Sequence, residues 1–241
     1  MTIEQISNIV FIDIETVPIV SDFELLDENL QKLWTLKAKQ LNRVHDEELD
    51  PAKVFKEKAG IFAEFSKVVC IGIGYINFKE NNAYLRLKSH CESDEKNLLN
   101  NFITTIQKFE LTFKSIRFCG HNIKEFDLPF LCRRMVINQC MIPQSLQIQN
   151  KKPWEINHID TLELWKFGDY KHYISLELLA TILHIPSPKN DIDGSQVAHV
   201  FWNEKNLDRI STYCLQDVTT TTKVFLHLAG LSTVTLEVVS L

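Results

Sequence analysis

Two rhythms of apolar positions run along the chain, and their succession predicts its elements. Val10 to Pro18 (VFIDIETVP) is apolar, largely β-branched or aromatic, and closed by a proline, which predicts a central strand. Lys67 to Asn77 predicts a second, buried strand, and Ala83 to Leu87 a half-exposed third in which Tyr84 and Arg86 oppose Leu85. The Glu80-Asn81-Asn82 turn between them predicts an antiparallel hairpin. Ile116 to Gly120 is a further strand, and His158 to Thr161 a short one ending in an N-cap. Helical spacing takes over elsewhere. Ser93 is placed to cap a helix whose stripe is Leu98, Leu99, Phe102, Ile103 and Ile106. Leu162, Leu164 and Trp165 open another, Ser175 caps one that Pro186 and Pro188 stop after Leu183, and Val197 to Trp202 is a shorter piece. Asn206 to Leu228 is one long helix with Leu207, Ile210, Cys214, Val218, Thr221 and Phe225 on its core face. The apolar, β-prone tail Leu231 to Leu241 is either a late strand or unstructured.

Strand, insertion, strand, strand, helix, strand is the order of a mixed sheet with helices, hence an α/β fold. The insertion is Ser21 to Ser66, charged and helix-compatible, with Leu25, Leu26, Leu30, Leu33 and Trp34 at helical spacing and Val54, Phe55, Phe62 and Phe65 in a further helical stretch. It is expected to pack on the sheet edge, with a lid or substrate clamp as the alternative. No internal repeat or low-complexity linker is visible, so residues 1–241 are expected to form a single domain with a helical insertion at about 21–66.

Composition narrows the class of function. A net charge of −5 argues against a protein that coats polyanions, but not against a nucleic-acid enzyme whose acids are neutralised by metal. The six cysteines form no CxxC pair and no zinc-like grouping with histidine, so buried free thiols and a reducing, cytoplasmic setting are expected. With acidic Glu4 and no basic n-region, no secretory signal is expected, and the longest strongly apolar run, Val68 to Ile76, is too short to span a bilayer.

Candidate chemistry starts on the first strand. Period-two alternation puts Asp13 and Glu15 on one face beside Phe11, with Val10, Ile12 and Ile14 on the other. Paired carboxylates among buried neighbours are costly unless a cation offsets them, and a divalent metal is the natural partner for such oxygens. A strand end whose acids reach water is the alternative. Pro129 is tolerated only in a first helical turn, so Asp127 lies at or just before a helix N-terminus, where it is either an N-cap or a site acid. Tyr213 and Asp217, at i and i+4, share a helix face. By default Asp160, Asp191 and Asp193 are cap or turn acids and His121 is a partly buried loop histidine. Lys151, Lys152, Pro153 and Trp154 form a surface turn or a base-stacking loop.

Together, Asp13-Ile14-Glu15, then Asn122 through Phe126-Asp127, then Tyr213-Cys214-Leu215-Gln216-Asp217 resemble the three motifs of the DEDDy 3′–5′ exonucleases. The five-residue step from Asn122 to Asp127 is similar to the proofreading domain of family B DNA polymerases, and Thr212 stands where the DEDDh sister group has histidine. The resemblance implies a ribonuclease H-like mixed sheet flanked by helices. It implies that Asp13, Glu15, Asp127 and Asp217 hold two Mg²⁺ or Mn²⁺ ions roughly 3.5–4 Å apart, with Asp13 the candidate to bridge them. Tyr213 would orient the attacking water, and Thr16, Asn122 and Phe126 would contact the terminal nucleotides. The implied substrate is a single-stranded 3′ end, DNA rather than RNA, with an RNA-directed exonuclease as the alternative. A polymerase or repair complex acting in trans is the implied protein partner. Two other readings compete. A haloacid-dehalogenase-like phosphatase needs a second aspartate where Glu15 stands, and a silent nucleic-acid-binding module of the same fold would be expected to have lost an acid.

Overall fold

The computed structural model describes residues 6–41, 50–79, 82–113, 115–169, 171–186, 191–232 and 234–240. Six strands form one sheet: β1 (Ile9–Pro18), β2 (Ser66–Lys79), β3 (Asn82–Cys91), β4 (Arg117–Gly120), β5 (Ile159–Asp160) and β6 (Leu236–Ser240). Their order is β5-β4-β1-β2-β3-β6. β1 runs antiparallel to β2 and parallel to β4, so the sheet is mixed and β1 is an inner strand. The tail resolves to a strand, with β6 pairing parallel to β3. β2 and β3 pair antiparallel over their length, longer than the apolar runs alone suggest. Glu80 and Asn81 of the expected hairpin turn, like Glu4, Pro188 and Leu241, lie outside the described residues.

Alternation along β1 sorts its side chains between two apolar layers. Val10, Ile12 and Ile14 pack with Leu98, Leu99 and Phe102 of α3 (Glu95–Thr112) and with Leu128, Phe130 and Leu131 of α4 (Asp127–Ile137). Ile9 and Phe11 pack the other way, against Val218 and Phe225 of the last helix, α8 (Leu207–Leu228), with the Phe11 and Phe225 rings 5.5 Å apart. Helices thus cover both faces of the sheet. A buried ion pair fixes α4: Arg134 Nε donates to Glu95 Oε1 at 2.8 Å and its Nη1 to the Ala63 carbonyl at 2.7 Å, while Glu95 Oε1 also takes the Val68 N–H at 2.8 Å. With those partners, losing either charge would strand the other in the core.

Several sequence expectations need correcting. The insertion, with α1 (Glu28–Leu41) and α2 (Pro51–Lys58), does not sit on a sheet edge. It folds around its own buried Trp34, whose ring lies 5.3 Å from Phe55 and 5.0 Å from Phe65, and it joins the end of β1, where the Ile19 N–H donates to the Phe65 carbonyl at 3.0 Å. Leu25 and Leu33 of the expected stripe are exposed: Leu25 lies in a separate 3₁₀ turn (Phe23–Leu25) before α1, and on α1 Trp34 and Ala38 turn the buried face away from Leu33. The cap of α3 is Asp94, which accepts from the Asn97 N–H at 2.8 Å, rather than its neighbour Ser93.

Free thiols are found for Cys119, Cys132, Cys140 and Cys214, whereas Cys70 and Cys91 form a disulfide. They stand directly opposite each other in the β2–β3 ladder, a register that their separation of 21 residues does not reveal. The shorter helices include α5 (Thr161–Lys166), α6 (Leu176–Ile182) and α7 (Val197–His199), the last running on as a π-helical turn through Val200–Glu204. No helix among the described residues is long and apolar enough to cross a membrane.

Candidate active site

β1 presents Asp13 half-buried and Glu15 buried on the α8 face. Between Glu15 and Thr16 the pairing with β2 shifts register, a bulge of the kind that re-aims side chains beside functional sites. The pairing of β1 with β4 ends at Phe11, which leaves the next backbone groups of β1 without that neighbour. The N-terminus of α4 takes this place. The buried Asp127 carboxylate accepts the N–H of Ile14 as well as its own. Asp127 is therefore the first residue of the helix, with Phe126 as N-cap, and it binds the strand backbone instead of capping.

From the opposite side α8 brings Tyr213 and Asp217, and the Tyr213 hydroxyl donates to the Asp217 carboxylate one turn on. Cys214, buried between them in sequence, has its sulfur 3.5 Å from both the backbone carbonyl and Oδ2 of Asp13 and accepts the Gly72 N–H at 3.1 Å. The ligand atoms of Asp13, Glu15 and Cys214 lie within 4.8 Å of one another.

Close approach of α8 depends on a glycine. Gly72 pairs with Asp13 across the β1–β2 ladder, and a Cβ there would meet the Cys214 sulfur at 2.8 Å, a Val218 methyl at 3.0 Å and the Cys214 carbonyl at 3.3 Å. A glycine inside a strand marks such an approach. Gly72→Ala is expected to cost about 1–3 kcal/mol of stability by overpacking and to push the Tyr213–Asp217 turn away from Asp13. Melting temperature together with turnover on a labelled oligonucleotide checks this, turnover falling further than the melt accounts for.

Electrostatics within the cluster are one-sided. Burial, then the charges of Glu15, Asp217 and Asp127, push the Asp13 pKa well above the carboxylate range. Glu15 is raised by burial, Asp217 and Asp127. Burial lifts Asp127 to about 7, with Asp160 adding and the two backbone N–H groups opposing. Asp217 is lifted to about 6 by burial, against the Tyr213 hydrogen bond and with Glu177 adding. The Tyr213 pKa also rises, through burial and the neighbouring acids, so its hydroxyl stays protonated. Every charge that shifts Asp13 or Glu15 is negative. A buried set of hard oxygen donors with no cation of its own fits a divalent metal.

The other expected residues fall around this cluster. Thr16 donates its hydroxyl to the Gly60 carbonyl at 2.7 Å, tying the bulge to the insertion. Asn122 holds a left-handed backbone (φ 63°) in the loop before α4, and the Phe126 ring lies 5.3 Å from Phe130. Asp193 is a turn acid, accepting from the Ser195 N–H at 2.8 Å, and Asp191 pairs with Arg209 at 2.5 Å. That turn borders the cleft containing Tyr213 and Asp217. Trp154 is exposed, with the Lys152 ammonium 5.2 Å from its ring centre.

A family model described as "Predicted 3'-5' exonuclease related to the exonuclease domain of PolB" matches residues 61–237. The chain belongs to this family. The match contains Asp127, Tyr213 and Asp217, while Asp13 and Glu15 on β1 precede it. Among solved structures, the family B DNA polymerase of the hyperthermophilic archaeon Pyrobaculum calidifontis matches 91% of this chain with a TM-score of 0.57 at 14% identity. The match takes up 24% of that polymerase chain, so this chain spans about a quarter of it. The shared fold is the ribonuclease H-like α/β sheet of a polymerase exonuclease domain. No match was found among curated proteins.

Two contributors to the site escape a motif-based reading. Cys214 reads from its period as core, yet it touches Asp13; its only signal is its place inside the Tyr213–Asp217 spacing. Gly72 is one of two glycines in an apolar strand, and nothing local marks which of them faces the acids.

Proposed function

We propose that this protein is a metal-dependent 3′–5′ exonuclease that releases nucleotides from the 3′ end of single-stranded DNA. The observation that carries the proposal is the pairing of Asp13 and Glu15 on one strand face, within electrostatic reach of Asp127 at a helix start and of Asp217 on the last helix, with Tyr213 bonded to Asp217. In this reading those four acids would hold two Mg²⁺ or Mn²⁺ ions. Bound there, such ions supply positive charge for the phosphate and lower the pKa of a water.

The chain's own residues orient and select. Tyr213 donates to Asp217 and keeps its oxygen lone pairs for a water, so it positions the nucleophile and does not serve as its base. Asn122 and Phe126, on the loop leading to Asp127, together with Thr16 beyond the bulge, contact the terminal nucleotides. Residues 1–241 act as one unit, with the insertion bordering the substrate path at the end of β1. A polymerase or repair complex supplies the 3′ end in trans.

Linear and circular single-stranded DNA of one sequence test the proposal. With Mn²⁺ the linear strand is expected to shorten from its 3′ end to mononucleotides, while the circle and a 3′-blocked strand resist and chelator stops the reaction. Efficient cutting of the circle would make the enzyme an endonuclease. A matched RNA strand, degraded faster than the DNA, would reassign the substrate.

A further inference from the structure

We propose that Asp160, backed by Thr161, is the positioning residue for the Gly120–Asp127 loop and so for the nucleotide contacts of Asn122 and Phe126. This rests on the exonuclease reading above. Asp160 looks like a helix cap, and it is one: its Oδ1 accepts the Leu162 N–H at 3.0 Å at the start of α5. A cap needs only that bond. The same carboxylate, only 3% exposed, also takes the Asn122 N–H on Oδ1 at 2.8 Å and the Lys124 N–H on Oδ2 at 3.1 Å, from a segment 36–38 residues earlier. Three N–H donors on one buried carboxylate make short-range, charge-assisted bonds that fix direction as well as distance.

Thr161 completes the grip. It is fully buried, with its hydroxyl 3.2 Å from the Gly120 carbonyl and 2.9 Å from His121 Nδ1. Burial pushes the His121 pKa down. The neutral ring then donates from Nε2 to the Ile174 carbonyl at 2.9 Å and offers Nδ1 as an acceptor, so the single Thr161 hydroxyl proton is shared between Nδ1 and the Gly120 carbonyl. Gly120, His121, Asn122 and Lys124 are thus all held by two adjacent side chains at the end of β5. On the β1 side there is no slack, since a Cβ on Gly120 would lie 2.8 Å from the Ile12 carbonyl.

Asn122 sits at φ 63°, a left-handed conformation that asparagine tolerates better than most residues, and the Asp160 bond to its N–H fixes it there. The Asn122 carbonyl then accepts the Phe126 N–H at 3.1 Å, passing the geometry on to the residue before Asp127. A loop released here would misplace the nucleotide contacts first. Asp127 keeps its bonds to its own N–H and that of Ile14.

The experiment uses the full chain, a fluorescent single-stranded DNA oligonucleotide, Kd in Ca²⁺ and KM and kcat in Mn²⁺. Asp160→Ala and Thr161→Val are each expected to raise Kd and KM about tenfold with kcat held within about threefold, as for a misplaced binding loop. Thr161→Ser, which restores the hydroxyl, is expected to behave as wild type. Asp160→Asn keeps an oxygen for the Asn122 and Leu162 N–H groups and is expected to fall between. If Asp160→Ala does not fold, Thr161→Val decides, because it leaves the cap of α5 intact. Wild-type Kd and KM in Thr161→Val and Asp160→Asn, with only melting lowered, would reduce Asp160 to a structural cap. A wild type that binds DNA without hydrolysing it sinks the exonuclease reading, while the Kd series still judges the grip. One that does neither overturns both.

Discussion

Asp13→Asn and Asp217→Asn are each expected to cut nucleotide release by about three orders of magnitude or more, with the protein still folded. Members of a catalytic unit act together, so removing one costs nearly as much as removing several. Both substitutions keep the shape of the side chain and remove one negative charge from a set whose members raise one another's pKa values. In this mechanism the charge is what holds the metal, and the loss falls on kcat. Tyr213→Phe is expected to be milder, about 10–100-fold, because only orientation of the water is lost. Rates on one end-labelled oligonucleotide with Mn²⁺ separate these cases. Wild-type activity in Asp13→Asn would refute the site.

Without metal the same substitution is expected to stabilise. Asp127 and Asp217, with folded pKa values of about 7 and about 6, bind protons more tightly than an unfolded carboxylate at about 4, and Asp13 and Glu15 are raised too. A folded state that holds more protons than the unfolded one loses stability as pH rises. The penalty therefore opens near pH 4 and is complete for Asp217 and Asp127 once pH has passed 7. In chelator at pH 8, Asp13→Asn is expected to melt above wild type, by about 2–4 °C for each ~1 kcal/mol relieved. The gap closes toward pH 4. Excess Mn²⁺ reverses the order, since an ion at about 100 times its Kd stabilises the native state by roughly 2.7 kcal/mol and the variant binds less of it. Melting curves of both proteins across pH, with chelator and with Mn²⁺, carry the test. Indifference of the wild type to Mn²⁺ would mean that these acids do not form a metal site.

Much of this arrangement was legible in the chain because period and motif act locally. The alternation of Phe11, Asp13 and Glu15 against Val10, Ile12 and Ile14 needs no tertiary information, and the structure sorts those residues between two layers in that way. The i, i+4 step from Tyr213 to Asp217 is likewise a property of one helix. What was not legible depends on register and on distance in sequence. The Cys70–Cys91 bond follows from strands that pair these residues directly, and a one-residue slip would have sent one thiol to the other face. Asp160 reads as a cap because the cap is local, whereas its bonds to Asn122 and Lys124 exist only after β4 and β5 pair. The insertion misled for a similar reason: Leu33 fits a helical stripe, but Trp34, with its Nε1 donating to the Pro51 carbonyl at 2.9 Å, selects the face that packs, and Leu25 belongs to a separate turn before the helix.

The Asp13–Cys214 contact joins residues 201 apart in sequence, and that separation has a consequence for biosynthesis. Before the ribosome reaches α8, a nascent chain can carry β1 and the loop at Asn122, but it has neither Tyr213 nor Asp217. Such a chain therefore lacks two residues of the proposed site. Loop-closure entropy makes such distant contacts late in folding as well as late in translation. On the proposed reading, a product truncated before Tyr213 carries β1 and its two acids but not the helix that completes the site, and is expected to be inactive.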